Sequence, residues 1–267
     1  MKKLFFSSLL AIMAFFSTAC SDESNAVASK TFVLVHGAWQ GAWVWQQVKS
    51  QLENKGQTVI VVELPAHGDD ATPPLNTSID IYRDKVVEAI NKVKGKVVLV
   101  GHSMGGVVIT AVAEKIPAQI EKLVYIGAFL PANGQSLLDL ANTDAQSLLG
   151  PAIRPADGGL TLDIVKESII PVFCQDGSDQ TQQLLLSKFK KEPGIPFQNK
   201  VTVTTANFGS VSKYYIKTMK DQAVGPDLQG RMILAAGISK IYTIQSGHCP
   251  FLTMPTELVG ILMEIIK

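Results

Sequence analysis

The sequence predicts an α/β fold, in which a mostly parallel central sheet carries helices on both faces and a cap is inserted over one edge. Short β-branched runs alternate with helical stretches as far as Pro131, and the alternation resumes near residue 213. The chain has 267 residues, of which 46% are hydrophobic, so it can bury the core of one large domain. We therefore expect one domain over residues 31–267, with the cap at about 131–212.

The predicted strands are short runs rich in β-branched residues and leucine, as is typical of strands buried on both faces of a sheet. In chain order they are "TFVLVH" (31–36), "TVIVVEL" (58–64), "KVVLVG" (96–101), "IEKLVYIG" (120–127), "KYYIKTM" (213–219) and "SKIYTIQ" (239–245). Because helical stretches separate most of them, the strands are expected to run parallel.

The predicted helices have apolar residues at helical spacing. They cover 42–56, 78–93, 104–116, 226–236 and 255–266, with one more in the cap at 179–191. Gly56 is expected to end the first helix and Ser78 to cap the second. The rest of the cap is punctuated by glycine and proline, and no flexible linker flanks it, which favours an insertion over a separate domain.

The first 20 residues are predicted to be a signal peptide. A basic "MKK" precedes the apolar run "LFFSSLLAIMAFF", which is shorter than the roughly 20 residues of a membrane span. "STAC" then resembles a bacterial lipobox, although Ser17 stands where leucine is usual. Cys20 is either the lipidated first residue, which we favour, or a chance cysteine near an ordinary cleavage site. Residues 21–30 are predicted to be a linker, and the protein to be exported, periplasmic and lipid-anchored.

Charge and cysteine content limit the partners and the cross-links that the chain can have. The formal net charge is +1 and the lysines are scattered, so no basic stripe for nucleic acid is expected. Beyond Cys20, the chain has Cys174 and Cys249. Two cysteines in an exported domain can pair, but nothing in the sequence brings these two together, so a disulfide stays open. The sequence does not indicate an oligomeric state.

Ser103 is the candidate nucleophile. It lies in "GHSMG", which fits the pattern G-x-S-x-G between a predicted strand and a predicted helix. Gly101 and Gly105 leave room for a sharp turn that holds the serine in an unfavourable backbone conformation. The N-terminus of the following helix points at the same place and favours developing negative charge there. The alternative is a serine that only caps the helix, and the strand before and the helix after the motif favour the nucleophile.

The base that such a serine needs is expected to be His248. It lies in "QSGHCPF", after the last predicted strand, at the sheet edge where Ser103 also lies. The acid is expected after the penultimate strand, in the chain order Ser, Asp, His. Asp221 and Asp227 are both candidates, and we choose Asp221 because it directly follows the strand. His102, beside the serine, is expected to point into the scaffold.

An oxyanion hole requires two backbone N–H groups near the serine. Met104, the residue after the nucleophile, is expected to supply one. Ala38 is expected to supply the other from the loop "HGAWQGAW", where Gly37 allows a close backbone approach. This chemistry needs no metal or cofactor, and no ligand pattern such as H-E-x-x-H occurs in the sequence.

A family resemblance rests on four stretches, "FVLVHGAWQGAWVW", "VVLVGHSMGG", "LVYIGAFLP" and "SGHCPFLTMP". Together they are similar to the α/β-hydrolase superfamily over residues 31–267. They most resemble the branch that holds plant methylesterases, salicylate-binding esterases and hydroxynitrile lyases. The resemblance assigns Ser103, Asp221 and His248 to a catalytic triad, and Ala38 and Met104 to the oxyanion hole. It implies hydrolysis of a small-molecule ester through an acyl-enzyme.

Two positions separate the hydroxynitrile lyases of this branch from its esterases. The lyases that the chain resembles carry threonine at the place of Ala38 and lysine at the place of Cys249. A lyase needs polar groups that hold a cyanohydrin hydroxyl and the departing cyanide, so the esterase interpretation is favoured. A non-catalytic binder on the same fold, or a hydrolase of amide, lactone or C–C bonds, stays open. Three residues are candidates for the substrate pocket: Phe129, Leu130 and Phe251.

Overall fold

The computed structural model of the chain describes Met1 and residues 28–267. Apart from Met1, the predicted signal peptide, including Cys20, lies outside the described residues, as does the predicted linker up to residue 27. Within residues 28–267, no helix is both long enough and apolar enough to cross a lipid bilayer.

Nine strands form two sheets in the described part of the chain. In chain order they are β1 (Thr31–Val35), β2 (Thr58–Val62), β3 (Val97–His102), β4 (Ile120–Ile126), β5 (Ile153–Ala156), β6 (Thr161–Ile164), β7 (Glu192–Pro193), β8 (Ser212–Thr218) and β9 (Lys240–Ile244). Six of them make the central sheet in the order β2-β1-β3-β4-β8-β9, and every pair in it is parallel. The α/β prediction is therefore confirmed.

Eleven α-helices accompany the strands in residues 28–267. They are α1 (Gln46–Glu53), α2 (Ile79–Ile90), α3 (Gly105–Lys115), α4 (Leu137–Ala141), α5 (Leu149–Ala152), α6 (Lys166–Phe173), α7 (Asp179–Lys188), α8 (Ile195–Gln198), α9 (Pro226–Ala235), α10 (Pro250–Thr253) and α11 (Pro255–Ile265). α1 packs against α11, and α2 packs against α3. The core between sheet and helices is apolar: β3 is buried along its whole length, and α3 is buried from Gly105 to Ala113.

Helix ends follow the local chemistry of the sequence. The Ser78 hydroxyl accepts the N–H of Ile81 at 3.2 Å, which confirms Ser78 as the cap of α2. The first predicted helix, 42–56, is split, because Ala42–Trp45 forms a 3₁₀ turn before α1 begins. Gly56, at a φ of +78°, follows the end of α1.

The connection from β4 to β8, residues 127–211, contains the segment predicted as a cap. It holds the helices α4 to α8 and an antiparallel sheet in the order β5-β6-β7. The predicted helix at 179–191 is present as α7. The small sheet was not predicted, because its strands have four residues or fewer and include Pro155 and Pro193, which lack the N–H of a typical strand residue.

Candidate active site

Ser103 lies on a sharp turn between β3 and α3. Its φ is +53°, in the left-handed region that residues other than glycine rarely adopt. The turn requires glycine on both sides: a Cβ on Gly101 would lie 2.6 Å from the Gly105 carbonyl oxygen, and one on Gly105 would lie 2.7 Å from the His36 carbonyl oxygen. Backbone strain of this kind costs of the order of 1–3 kcal/mol and persists where the surrounding packing enforces it.

Asp221 and His248 form a buried pair. Nδ1 of His248 lies 2.9 Å from Oδ2 and 3.0 Å from Oδ1 of Asp221. The carboxylate also accepts the Thr218 hydroxyl at 2.7 Å and the N–H groups of Ala223 and Val224, each at 2.8 Å. These bonds fix the carboxylate from the β8 side. Because an ionised carboxylate only accepts hydrogen bonds, Nδ1 carries the proton and Nε2 is left as the basic nitrogen.

Asp227, the other acid candidate, lies elsewhere. It is exposed at the start of α9, and its backbone N–H donates to the side-chain oxygen of Gln146. Of the two carboxylates that follow β8, the structure therefore brings Asp221 to His248.

His102 connects the loop of His248 to the turn of Ser103. Its Nε2–H donates to the His248 carbonyl oxygen at 2.8 Å, and the two imidazole rings lie 4.5 Å apart. Burial lowers the pKa of His102 well below its usual value, so the ring is neutral. As expected, this side chain points into the scaffold, where it anchors the His248 backbone. Within residues 28–267, no hydrogen bond joins the Ser103 hydroxyl to His248, and such bonds are often long before substrate binds.

Two backbone N–H groups lie free beside Ser103. Among residues 28–267, no acceptor takes the N–H of Ala38 or that of Met104, and both residues are buried. The Ala38 loop runs against the serine, since a Cβ on Gly37 would lie 2.8 Å from the Ser103 Cβ. Buried backbone donors are normally paired. Unpaired donors at this place can bind an oxyanion.

The three predicted pocket residues lie in different surroundings. Phe129, whose N–H donates to the Ser103 carbonyl oxygen at 3.0 Å, lines a cavity of about 310 Å³ bounded by α4, α5 and the Asp221 loop at Ala223. Leu130 lines another cavity, of about 520 Å³, beside α9. Phe251 is fully buried, with its ring 4.7 Å from that of His102, and it lines neither cavity. α10 packs this side chain into the core.

Cys249, next to His248, is a buried free thiol, and so is Cys174. The two cysteines therefore form no disulfide. The Gln40 side chain donates to the Cys249 sulfur at 3.0 Å. Burial raises the pKa of the Cys249 thiol well above its ordinary value, so this side chain stays neutral.

Two features that support the site were missed in the sequence. Gly127, at a φ of +46°, follows β4, and a Cβ there would lie 2.9 Å from Oδ2 of Asp221; "YIGAF" carried this signal as a glycine directly after a strand. Glu192 and His67 form a buried pair at 2.8 Å behind the Ala38 loop. They are 125 residues apart, and Glu192 stands in the polar run "KKEPG", so no local pattern indicates the pair.

Comparison with known proteins gives one family and several relatives. The model of the alpha/beta hydrolase family matches residues 32–261. Putative methylesterase 13, a chloroplastic protein of Arabidopsis thaliana, is 34% identical over 252 residues, which are 89% of this chain and 56% of the relative. The chain thus spans little more than half of that relative. Alpha-hydroxynitrile lyase of Arabidopsis thaliana is 30% identical over 258 residues, which are 88% of this chain and 96% of the lyase.

Solved structures share the fold. An extracellular alpha/beta-hydrolase from a Paenibacillus species, which shares structural and functional homology with tobacco salicylic acid binding protein 2, superposes with a TM-score of 0.77. It is 27% identical, and the match covers 88% of this chain and 98% of that one.

Proposed function

Because the chain belongs to the alpha/beta hydrolase family, we propose that it is a carboxylesterase acting on small esters, with Ser103 as nucleophile, His248 as base and Asp221 as the orienting acid. The observation that carries this proposal is the buried Asp221–His248 pair, tied through His102 to a serine at a φ of +53°. The similarity to a putative methylesterase supports an ester substrate.

The proposed reaction proceeds through an acyl-enzyme. His248 Nε2 takes the Ser103 proton as the hydroxyl oxygen attacks the ester carbonyl carbon, and Asp221 stabilises the imidazolium that forms. The N–H groups of Ala38 and Met104 bind the oxyanion of the tetrahedral intermediate. The His248 proton then passes to the leaving alcohol. A water molecule attacks the acyl-enzyme with the same base and donors, which releases the acid and restores Ser103.

The cavity lined by Phe129 is the candidate pocket for a small substrate, because the Phe129 N–H donates to the Ser103 carbonyl oxygen. The cavity lined by Phe129 has a volume of about 310 Å³, at the small end of ligand pockets, and its walls are mostly apolar. It abuts the Asp221 loop at Ala223. We infer that it takes the apolar group of a short ester, either its acyl or its alcohol part.

Hydrolysis of 4-nitrophenyl acetate and butyrate tests the proposal. Ser103→Ala and His248→Ala are each expected to lower kcat by roughly four to six orders of magnitude, because these groups act as a unit. Ser50→Ala, which changes an exposed serine on α1, is the matched control and is expected to leave kcat unchanged. Turnover that persists in Ser103→Ala would contradict the proposal. A wild-type protein that binds the ester without turnover would also contradict it and would favour a non-catalytic binder.

Hydroxynitrile lyase activity is a second candidate, because a lyase is among the relatives at 30% identity. Cyanide departure needs a positive group near His248, whereas the buried Cys249 thiol is neutral and Ala38 has no side-chain hydroxyl. A substrate hydroxyl left unpaired in the site costs about 1–3 kcal/mol. We expect no release of cyanide from mandelonitrile above the buffer blank. Ser103-dependent release of cyanide at the rate of ester hydrolysis would reverse the assignment as an esterase. A panel of amides and lactones tests whether the protein hydrolyses bonds other than esters.

We also propose that Cys20 is lipidated and anchors an exported protein to a bacterial membrane. The support is the sequence of the first 20 residues, which lie outside the described residues apart from Met1. Cys20→Ser is expected to move the protein from the detergent phase to the soluble periplasmic fraction, because several acyl chains anchor a protein stably. A mature N-terminus beyond residue 20 contradicts this proposal.

A further inference from the structure

Trp39, the residue after Ala38, is bound to the connection between β4 and β8. Its backbone N–H donates to Oε2 of Glu192 at 2.7 Å, and its indole N–H donates to the Leu162 carbonyl oxygen at 2.9 Å. The Lys190 N–H donates to the Trp39 carbonyl oxygen at 3.3 Å. The indole ring also packs against two phenylalanines of the same connection, Phe173 and Phe197. The small sheet β5-β6-β7 and its neighbours therefore bind the Ala38 loop through hydrogen bonds and ring packing.

The backbone of Trp39 is strained, and these contacts stabilise it. Its φ is +59°, a left-handed conformation that is a genuine outlier for a bulky residue. A hydrogen bond to a buried carboxylate is about twice as strong as one between neutral groups. The Glu192 bond therefore offsets strain at Trp39 and fixes the direction in which the chain leaves Ala38.

Glu192 forms a buried, hydrogen-bonded pair with His67. The Nδ1 of His67 lies 2.9 Å from the Pro65 carbonyl oxygen, which can only accept, so Nδ1 carries a proton. Its Nε2 lies 2.8 Å from Oε2 of Glu192. Burial alone would lower the pKa of His67, but the neighbouring Glu192 side chain raises it above the ordinary value. Oε1 of Glu192 has no partner among residues 28–267, so the bonds at Oε2 hold the carboxylate.

Other titratable groups face this pair from three elements. The His36 ring, after β1, lies 4.9 Å from that of His67, and burial lowers the pKa of His36, so that it is neutral. The Tyr82 ring, from α2, lies 5.5 Å away, and its hydroxyl is also neutral because burial raises its pKa. Glu63, after β2, accepts the N–H of Ala42 at 2.9 Å and holds the far end of the loop.

We propose that Glu192 is a positioning residue for ester hydrolysis: through its hydrogen bond to the Trp39 N–H, it holds the Ala38 N–H in the direction that binds the oxyanion. The inference rests on the proposed esterase function. Glu192 touches no reacting atom. It acts at the Ala38 loop, so its removal changes binding of the transition state more than binding of the ester.

Two conservative variants separate the length of the side chain from its charge. Glu192→Gln keeps an acceptor oxygen at the same reach and loses the charge, whereas Glu192→Asp keeps the charge and shortens the reach. With 4-nitrophenyl butyrate, we expect the glutamine variant to lose less kcat than the aspartate variant, because its amide oxygen can still accept the Trp39 N–H, although through a weaker, neutral bond. We expect the aspartate variant to lose about 10–100-fold in kcat with KM nearly unchanged, because a donor displaced by about 1 Å loses transition-state stabilisation.

An inhibitor that mimics the oxyanion gives a readout that a purely structural role would not change. A short alkyl trifluoromethyl ketone forms a tetrahedral adduct with the serine, and Glu192→Asp is expected to weaken its inhibition by the same factor as kcat. Inhibition by butyrate, the product, should not change. Asp157→Asn is the matched control: this carboxylate pairs with Lys191 beside the same small sheet and makes no hydrogen bond to Trp39.

The outcomes test the proposed esterase function and the proposed role of Glu192 separately. A wild-type protein that neither hydrolyses the ester nor binds the ketone refutes the esterase function itself. If wild type does both, positioning by Glu192 is overturned by an aspartate variant as active as wild type. It is equally overturned if Glu192→Gln loses as much kcat as Glu192→Asp, or if Asp157→Asn shows the same loss.

Discussion

Replacing Asp221 by asparagine is expected to give His248 the wrong tautomer. Oδ1 of Asp221 accepts two N–H groups, those of Ala223 and Val224, each at 2.8 Å, so only the amide oxygen of an asparagine fits there. Its NH₂ group then takes the place of Oδ2, 2.9 Å from Nδ1 of His248. Because NH₂ donates, and because the amide oxygen 3.0 Å from Nδ1 already accepts two N–H groups, Nδ1 is expected to accept and the ring proton to move to Nε2. A protonated Nε2 cannot take the Ser103 proton.

The expected loss is large and confined to the chemical step. A histidine in the wrong tautomer costs about 10⁴ in kcat in enzymes of this mechanism, which is about 5.4 kcal/mol of transition-state stabilisation. Asparagine has nearly the same size as aspartate, so KM and the thermal melting curve should change little. Initial rates of 4-nitrophenyl acetate hydrolysis at pH 7 to 8 measure the loss.

Asp227→Asn is the matched control, because Asp227 follows the same strand and is exposed. Its kcat is expected to stay within twofold of wild type. A loss of less than tenfold in Asp221→Asn, or a comparable loss in Asp227→Asn, would refute the assignment of the acid and the tautomer argument.

Three further predictions concern stability and reactivity. Gly127→Ala should lower the free energy of unfolding in urea by about 1–3 kcal/mol, because φ is +46° and the new Cβ would lie 2.6 Å from Thr218 Oγ1; an unchanged midpoint contradicts this. Cys249 should resist Ellman's reagent at pH 8 until the protein unfolds, because it is buried and its pKa is raised; rapid labelling of the folded protein contradicts this. The raised pKa of His67 means that its pair with Glu192 stabilises the fold fully below about pH 6.5 and less as the pH rises through that pKa. Melting temperatures of wild type and His67→Asn should therefore converge as the pH rises above about 6.5, and a constant gap contradicts this.

The central sheet could be predicted because its signal is local. β1 and β3 are apolar runs bounded by turns, and buried strands of a parallel sheet have this pattern wherever they occur. The small sheet β5-β6-β7 could not be predicted, because strands of two to four residues gain their stability from pairing with each other and not from a pattern of their own.

In the candidate site, too, the residues with a local sequence signal could be predicted and those that depend on distant contacts could not. The turn at Ser103 follows from five consecutive residues, and the place of His248 follows from the strand before it. The support of Ala38 depends on Glu192, which comes from a distant part of the chain and looks like a solvated charge in the sequence. A contact of this kind is decided by how the β4–β8 connection folds back on the main domain. No periodicity within the chain encodes it.

The order of the strands has a consequence for how the protein folds. β4 ends at Ile126 and β8 begins at Ser212, so the parallel pair between them closes a loop of 85 residues. Closing such a loop costs about 1.5 kcal/mol more than closing one of 15 residues, and pairings distant in sequence form slowly. We therefore expect β8 and β9 to dock late, and Asp221 and His248 come with them. A chain caught midway through folding presents the proposed nucleophile Ser103 without its proposed base and acid, so we expect it to be inert toward esters until the last strands have joined the sheet.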